Sequence, residues 1–294
     1  MRQNHAGTLE ETKRHGSVLF PFIIYPCTIP GDFPSVALHW HKSMELIYVK
    51  KGRGSVQMGL EQLEATAGDI FVLPPGTLHS LRGLPGQKME YENMMFETEL
   101  LGVGAADVCA RKYLIPLSGG QLLYAMHLQP DAEGYSAVAA CLEQAEQLSE
   151  NRNSGYELGI KAAMLQLIYT LLQLQPEQAV PESPQTARLK QVLQLVEAAY
   201  GRPLRVEQAA AVCGLSASHF MRWFRQMTGS SFTAFLKEYR LAAAAELLRL
   251  TGNRVEDIAR TVGYESLSNF NRQFRERYGV TPREYRKHEA EPDF

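Results

Sequence analysis

Long apolar runs and closely spaced cysteines are both missing from this sequence. No stretch approaches 18 uninterrupted apolar residues, and the N-terminal MRQNHAGTLEETKRHG is polar with no apolar leader. These absences argue against a membrane-spanning protein and against a secreted one, so we expect a cytoplasmic chain. The four cysteines form no CxxC pair, and we expect buried free thiols at Cys27, Cys109, Cys141 and Cys213.

A large net charge is also lacking, since 30 Lys and Arg stand against 32 Asp and Glu. Taken alone, that balance argues against a nucleic-acid partner, but it conceals a split along the chain. Residues 186–288 carry 17 basic against 9 acidic side chains, a net of +8, whereas residues 1–185 carry 13 against 20. A basic C-terminal region is typical of a domain that binds the phosphates of a nucleic acid.

Turn residues and helical periodicity divide the chain into two main domains, giving a multi-domain α+β protein. Short apolar runs separated by Gly and Pro predict an all-β barrel or sandwich within residues 17–130. The helices predicted over 131–175 carry an apolar band wide enough to face both the barrel and a second subunit. Burial wholly within its own domain is the alternative for that band. The remaining segments are a flexible N-terminal arm (1–16), a Pro-rich linker (176–185), an all-α domain (186–288) and an acidic tail (289–294).

The C-terminal domain contains the same helix-turn-helix pattern twice. The first motif begins at Val206 (VEQAAAVCGLSASHFMRWFRQMTG) and the second at Val255 (VEDIARTVGYESLSNFNRQFRERYG). Gly214 and Gly263 occupy the turns, where a positive φ is needed. Phenylalanines four residues apart predict the buried stripe of each second helix, which leaves polar side chains outside that can bind phosphates or base edges. These predicted DNA-binding residues are Ser218, His219, Met221, Arg222 and Arg225 in the first motif, and Ser268, Asn269, Asn271, Arg272 and Arg275 in the second.

The second motif and its continuation, VEDIARTVGYESLSNFNRQFRERYGVTPREYR, resemble the signature of the AraC/XylS family of transcription regulators. The match includes the terminal G-V-T-P-x-x-Y-R from Gly279 to Arg286. The helix predicted between the motifs, roughly 233–250, is long enough to place the recognition helices in successive major grooves of one duplex. The resemblance implies a seven-helix DNA-binding domain for double-stranded promoter DNA. It also implies a partnership with RNA polymerase. Met221 departs from the family pattern, because a polar residue often stands at that position.

A cluster of histidines in the N-terminal half predicts a polar site inside the barrel. His39, His41 and Glu45 share parity, so on one strand they project to one face, and His79 can complete the set from a neighbouring strand. Three imidazoles and a carboxylate suit Zn, Ni, Mn or Fe. The segments from His39 to Gly52 and from Gly68 to His79 resemble the two cupin motifs, which implies a small β-barrel with an interior pocket. Two motif positions differ: Phe33 replaces a leading glycine and Gly83 a closing asparagine.

Three functions stay open for this pocket. It is an effector site in which His39, His41, Glu45, His79, Trp40 and Tyr48 contact a small molecule, a site for a divalent transition metal, or the active site of a metal-dependent cupin enzyme fused to a DNA-binding domain. We predict a non-enzymatic, homodimeric, effector-responsive transcription regulator. A constitutive DNA binder with a purely dimerising barrel is the other alternative. His15, in the polar arm, is expected to be a solvated surface residue.

Overall fold

The computed structural model of the chain describes residues 10–11, 15–102, 107–175, 184–228 and 230–290. Residues from 15 to 175 form one compact unit, the barrel unit, and residues from 184 to 290 form a second, the helical unit. No helix within these ranges combines the length and apolarity required to cross a bilayer.

The strands of the barrel unit pair antiparallel around one long central strand. In the first half of β4, Glu45 lies opposite Leu73 of β6 and Met95 of β8. The second half of β4 instead pairs with β5 and β7. Elsewhere β2 pairs with β8, β3 with β7, and β6 with β9. A two-residue strand, β1 (Glu10–Glu11), precedes this unit in the sequence. The strands of the unit are β2 (Phe22–Ile29), β3 (Ser35–His41), β4 (Met44–Met58), β5 (Glu61–Thr66), β6 (Ile70–Leu73), β7 (His79–Gly83), β8 (Met89–Phe96) and β9 (Met126–Leu128).

A glycine allows β4 to change partners. Gly52 has a φ of 78°, and a Cβ built there would lie 1.8 Å from the carbonyl oxygen of Lys88. The register against β8 also shifts by one residue between Val49 and Lys51. A bulge beside a glycine bends a strand, so β4 contributes to both halves of the barrel.

Each face of the barrel wall packs into a different core. On β6, Phe71 and Leu73 join the apolar cluster inside the barrel, whereas Ile70 and Val72 pack into a cluster shared with the helices that follow. A strand buried on both faces has no polar side, which explains the continuous apolar run IFVL. The covering helices are α1 (Ile115–Ser118), α2 (Tyr135–Asn151) and α3 (Tyr156–Leu174), preceded by a 3₁₀ turn (Thr98–Leu101) and a π turn (Ala110–Leu114).

Seven helices in the described ranges build the helical unit, the number that the family resemblance implies. They are α4 (Pro184–Ala199), α5 (Val206–Val212), α6 (Ala217–Thr228), α7 (Phe232–Leu250), α8 (Val255–Thr261), α9 (Leu267–Tyr278) and α10 (Pro282–Ala290). The first motif is α5 and α6, the second is α8 and α9, and α7 connects them. Phe220 and Phe224 of α6, like Phe270 and Phe274 of α9, are fully buried, as the four-residue spacing predicts.

Three boundary or burial predictions need correction. Pro184 and Gln185, assigned to the linker, are the first residues of α4, because proline fits the first turn of a helix. At the other end, α10 extends to Ala290, into the predicted acidic tail. Cys27, Cys141 and Cys213 are buried free thiols as predicted, but Cys109 is exposed. The rest of the linker (176–183), the end of the tail (291–294) and most of the arm (1–9 and 12–14) lie outside the described residues.

Candidate functional site

The predicted His₃Glu set converges inside the barrel unit. His39 and His41 lie on β3, Glu45 on β4 and His79 on β7, where His79 pairs with His39 across the ladder. All four side chains are buried, and one nitrogen or carboxylate oxygen from each lies within 4.8 Å of the others. The ring centroids of His39 and His79 are 4.2 Å apart, and those of His41 and His79 are 5.1 Å apart. The set has the size and composition of a first coordination shell for a transition metal.

Backbone carbonyls fix the orientation of each imidazole. Nδ1 lies 2.9 Å from the Ala37 oxygen in His39, 3.0 Å from the Ser43 oxygen in His41 and 2.8 Å from the Thr77 oxygen in His79. A carbonyl only accepts, so each Nδ1 carries the proton that it donates. Nε2 is therefore the atom that each ring offers to the interior, and this arrangement is typical of metal-binding histidines.

Glu45 lies at the centre of the cluster. Its Oε2 is 2.6 Å from Nε2 of His41 and 2.8 Å from Nε2 of His79. Burial alone would raise the pKa of this carboxyl, but the charge of His79 and the hydrogen bond from His41 hold the pKa well below its usual range. A neutral imidazole with Nδ1 protonated would point a lone pair at this oxygen. The short contacts therefore require positive charge, supplied either by protons on Nε2 or by a cation among the four groups.

Two predicted effector contacts do not join this site. Tyr48 lies on the opposite face of β4 from Glu45, packs against the cluster shared with the helices, and lies 3.5 Å from the hydroxyl of Tyr135. Trp40 is buried, but it stands between His39 and His41 on β3, so strand alternation directs it to the other face. Neither residue therefore joins the His₃Glu set, because both differ in parity from the ligands on their own strands.

The structure corrects the prediction for His15 and adds one buried polar residue of the barrel unit, Asn93. His15 is fully buried, not solvated: its Nδ1 is 3.3 Å from the Tyr25 hydroxyl, and its ring centroid is 6.4 Å from that of His41. Asn93 pairs with both Tyr25 and Ile47, and is buried with no hydrogen-bond partner for its side-chain oxygen among the described residues. No periodic signal places His15 here. The position of Asn93 can be predicted only once the register of β8 against β4 is known.

The second helices of both motifs present their polar faces to solvent within the helical unit. Of the ten predicted DNA-binding residues, Met221 and Asn271 are half-buried and the other eight are exposed. Arg222 and Arg272 are among the exposed ones, on the side opposite the phenylalanine stripe. The turns are as predicted, with φ of 65° at Gly214 and 86° at Gly263.

In the second motif, side chains on and beside α9 form a continuous polar network. Tyr264, buried in the core of the unit, donates its hydroxyl to Oε1 of Gln273 at 2.9 Å. The side-chain oxygen of Asn269 accepts from Nε2 of Gln273 at 2.9 Å and from Nη2 of Arg272 at 2.8 Å. Nη1 of Arg272 donates to Glu276 at 3.0 Å. The guanidinium is thus held along the helix by partners on both sides.

A further repeated motif, Glu-Tyr-Arg, follows each helix-turn-helix and was not recognised in the sequence. Arg240 donates to the carbonyls of Tyr200 and Arg202, at the end of the helix before the first motif. Arg286 donates in the same way to the carbonyls of Leu248 and Asn253, before the second motif. Each arginine therefore ties the helix that follows a motif to the helix that precedes it. The signal was present as EYR at residues 238–240 and again at 284–286.

Two family models match the chain. The AraC-like ligand binding domain matches residues 27–168, and a helix-turn-helix domain matches residues 209–288. An uncharacterized HTH-type transcriptional regulator of Bacillus subtilis is 24% identical over 284 residues, which cover 95% of this chain and 96% of that protein. The HTH-type transcriptional activator RhaR of Pectobacterium atrosepticum is 25% identical over 258 residues, covering 86% of this chain and 87% of the relative.

The similar solved structures cover either about a third of the chain or most of it. An AraC-type transcriptional regulator from Chromobacterium violaceum is 30% identical, with a TM-score of 0.35, and covers 36% of this chain and 96% of its own. ToxT from Vibrio cholerae, solved with a bound unsaturated fatty acid, is 14% identical, with a TM-score of 0.41, and covers 90% of this chain and 94% of its own.

Proposed function

Because the chain belongs to the AraC family of transcriptional regulators, we propose that it binds promoter DNA sequence-specifically under the control of a small molecule bound in its barrel. The observation that carries the DNA-binding part is the duplicated exposed face of α6 and α9, with arginines at matching positions opposite a phenylalanine core. Arg, Asn and Ser are the side chains that recognise base edges and phosphates. The +8 charge of residues 186–288 favours the same partner.

Selection from a random duplex library tests this part of the proposal. The full chain should enrich a recurring sequence with two half-sites about one helical turn apart, because α7 separates the two motifs within one subunit. Binding to the enriched duplex should weaken steeply with salt. Failure to enrich any sequence over repeated rounds would contradict sequence-specific binding.

The barrel contributes the effector site and, in our proposal, a divalent transition metal held by His39, His41, Glu45 and His79. The support is the set of three Nδ1 atoms that donate to carbonyls, which leaves three Nε2 atoms and one carboxylate facing each other in a buried volume. One divalent cation satisfies all four groups, whereas protonating each imidazole would bury several like charges together. When bound, Zn, Ni, Mn or Fe would supply a Lewis-acidic position for an anionic or hydroxyl-bearing effector.

Metal analysis of untagged protein, purified without added metal, tests the barrel site. We expect about one transition-metal ion per chain. Glu45→Gln and His79→Ala should lose that ion, whereas Trp40→Phe, on the same wall but facing away, should keep it. A wild-type protein that neither retains metal nor gains thermal stability from added Zn²⁺ or Ni²⁺ would contradict the metal assignment.

A thermal-shift screen of small molecules on the same protein tests the effector site, and the absence of any shift would favour a barrel that only dimerises. Turnover of a screened compound would instead favour the cupin-enzyme alternative.

The outward face of α3 supports a homodimer. Leu158, Leu165 and Tyr169 are exposed, and Ala162 and Leu172 continue the row at alternating steps of four and three residues. This is the heptad spacing of a helix that packs along another helix. We propose that α3 pairs with its copy in a second subunit, which would place two pairs of motifs on one promoter, where RNA polymerase is the expected further partner.

A further inference from the structure

The two helix-turn-helix motifs differ in what holds their matching arginines. In the second motif, Arg272 is the middle of a network that begins at buried Tyr264 and ends at Glu276. In the first motif, the positions that match the other network members are Leu215 for Tyr264, His219 for Asn269, Trp223 for Gln273 and Gln226 for Glu276. The α6 sequence contains no acidic residue. Arg222 therefore has no counterpart of the network that restrains Arg272.

Glu276 contributes little to the stability of its helix. Its ion pair with Arg272 is exposed, with 64% and 55% of the two side chains accessible, and surface pairs of this kind stabilise weakly. The order, with the arginine four residues before the acid, is the less favourable one for the helix dipole. A carboxylate on a helix that approaches phosphates also weakens DNA binding through repulsion. Glu276 therefore neither stabilises its helix appreciably nor strengthens DNA binding. The property that it can improve is the specificity of that binding.

We infer that Glu276 is a specificity-determining residue that acts by positioning Arg272, an inference that depends on the proposed DNA-binding function. With the guanidinium held between Asn269 and Glu276, it keeps a fixed direction and cannot swing to the nearest phosphate. Both lone pairs of the Asn269 side-chain oxygen are engaged by Arg272 and Gln273, so this amide and the guanidinium offer only N–H donors. The second motif therefore presents donors to the DNA and favours a base edge rich in acceptors, which in the major groove is that of guanine.

The test compares binding to two duplexes, both measured with the full-length protein. One is the sequence enriched by the wild-type chain from a random library, and the other is a scrambled duplex of equal length and composition. Glu276→Gln should tighten binding to the scrambled duplex about fivefold, the effect of one charge across a few ångströms of water, and should tighten binding to the selected duplex less. The discrimination ratio, which is the affinity for the selected duplex divided by the affinity for the scrambled one, therefore falls. The salt slope on the scrambled duplex should steepen by about one, because Arg272 becomes free to contact a phosphate.

Matched variants separate positioning from bulk charge. Glu238→Gln removes an equal charge from a different arginine pair, since Glu238 holds Arg277 at 2.8 Å, and should leave the discrimination ratio unchanged. Gln226→Glu places an acid four residues after Arg222, and should raise discrimination in the half-site bound by the first motif. In an Arg272→Ala background, Glu276→Gln should no longer alter the ratio, because the residue through which it acts is gone.

The outcomes are distinct. Equal effects of Glu276→Gln and Glu238→Gln on the ratio, or an undiminished effect of Glu276→Gln without Arg272, would overturn the inference while leaving DNA binding intact. Failure of the wild-type chain to enrich any duplex would instead overturn the proposed function, and this inference with it. The inference would be supported if Glu276→Gln alone lowered the discrimination ratio and steepened the salt slope, and if both effects were lost in the Arg272→Ala background.

Discussion

Replacing Leu158 by lysine should dissociate the dimer that we propose on α3. Leu158 is 75% exposed at one end of the apolar row, and Leu165 and Tyr169 are 39% and 59% exposed. Full burial of a leucine side chain is worth about 2 kcal/mol, so covering the exposed part of Leu158 contributes about 1.5 kcal/mol. A twofold interface contains every residue twice, which makes the loss about 3 kcal/mol, or roughly a hundredfold in the dimer dissociation constant.

Sedimentation velocity over a concentration series measures this constant directly. Lysine is a good helix former, so α3 should remain folded, and circular dichroism should change little. Leu250→Lys is the matched control, because Leu250 is 62% exposed at the end of α7 and lies outside the row. If both substitutions changed the dissociation constant equally, or if the wild-type protein remained monomeric at micromolar concentration, the assignment of α3 as the interface would be refuted.

Three further predictions follow from the two units. Arg222→Ala and Arg272→Ala should each weaken operator binding by about 1–3 kcal/mol in a fluorescence titration if the arginine binds a base bidentately, and unchanged affinity in both would contradict the assigned face. Burial and a hydrogen bond with Glu146 raise the pKa of Glu92 from 4.5 to about 7, although Lys50 lies only 2.9 Å away. The stabilisation from this group is therefore complete below about pH 4.5 and lost as the pH rises through 7. The free energy of unfolding, measured in urea, should therefore be lower at pH 8 than at pH 5, and Glu92→Gln should shrink this difference by about 1 kcal/mol. An unchanged difference would exclude Glu92 as its source. Arg240→Ala should lower the free energy of unfolding of the helical unit by about 2 kcal/mol, because two carbonyls lose a charged donor, and a loss below about 0.5 kcal/mol in urea unfolding would show that these bonds do not stabilise it.

Most of the fold could be predicted from local patterns in the sequence. The glycines at 214 and 263 and the four-residue phenylalanine spacing define each motif through interactions within about 25 residues, so no distant contact was needed to predict them. The ligand set was also predictable, because His39, His41 and Glu45 have the same parity. The same rule, fully applied, excludes Tyr48, whose parity differs from that of Glu45.

What the sequence did not indicate depends on contacts between distant segments. His15 lies beside His41 because of the path that the chain takes before β2, and no periodic pattern encodes that path. The orientation of the three imidazoles depends on carbonyls two residues away along the chain, whose positions follow from how the strands of the barrel unit pair. In the helical unit, the hydrogen bonds of Arg240 and Arg286 span 38 to 40 residues at their longest, so their role emerges only when the helices are placed.

The two motifs share their buried phenylalanines but differ on their outward faces. The phenylalanines of the buried stripe are identical in the two motifs, Phe220 with Phe270 and Phe224 with Phe274, because each stripe fills a closely packed core. On the outward face, Arg222 matches Arg272, but His219 and Met221 are replaced by asparagines in the second motif. Packing within the unit does not require the change from His219 to Asn269, because both side chains are exposed. The cause of this change must lie in what the faces contact. We therefore expect the two half-sites bound by one subunit to differ in sequence, with the guanine preference confined to the half-site of the second motif.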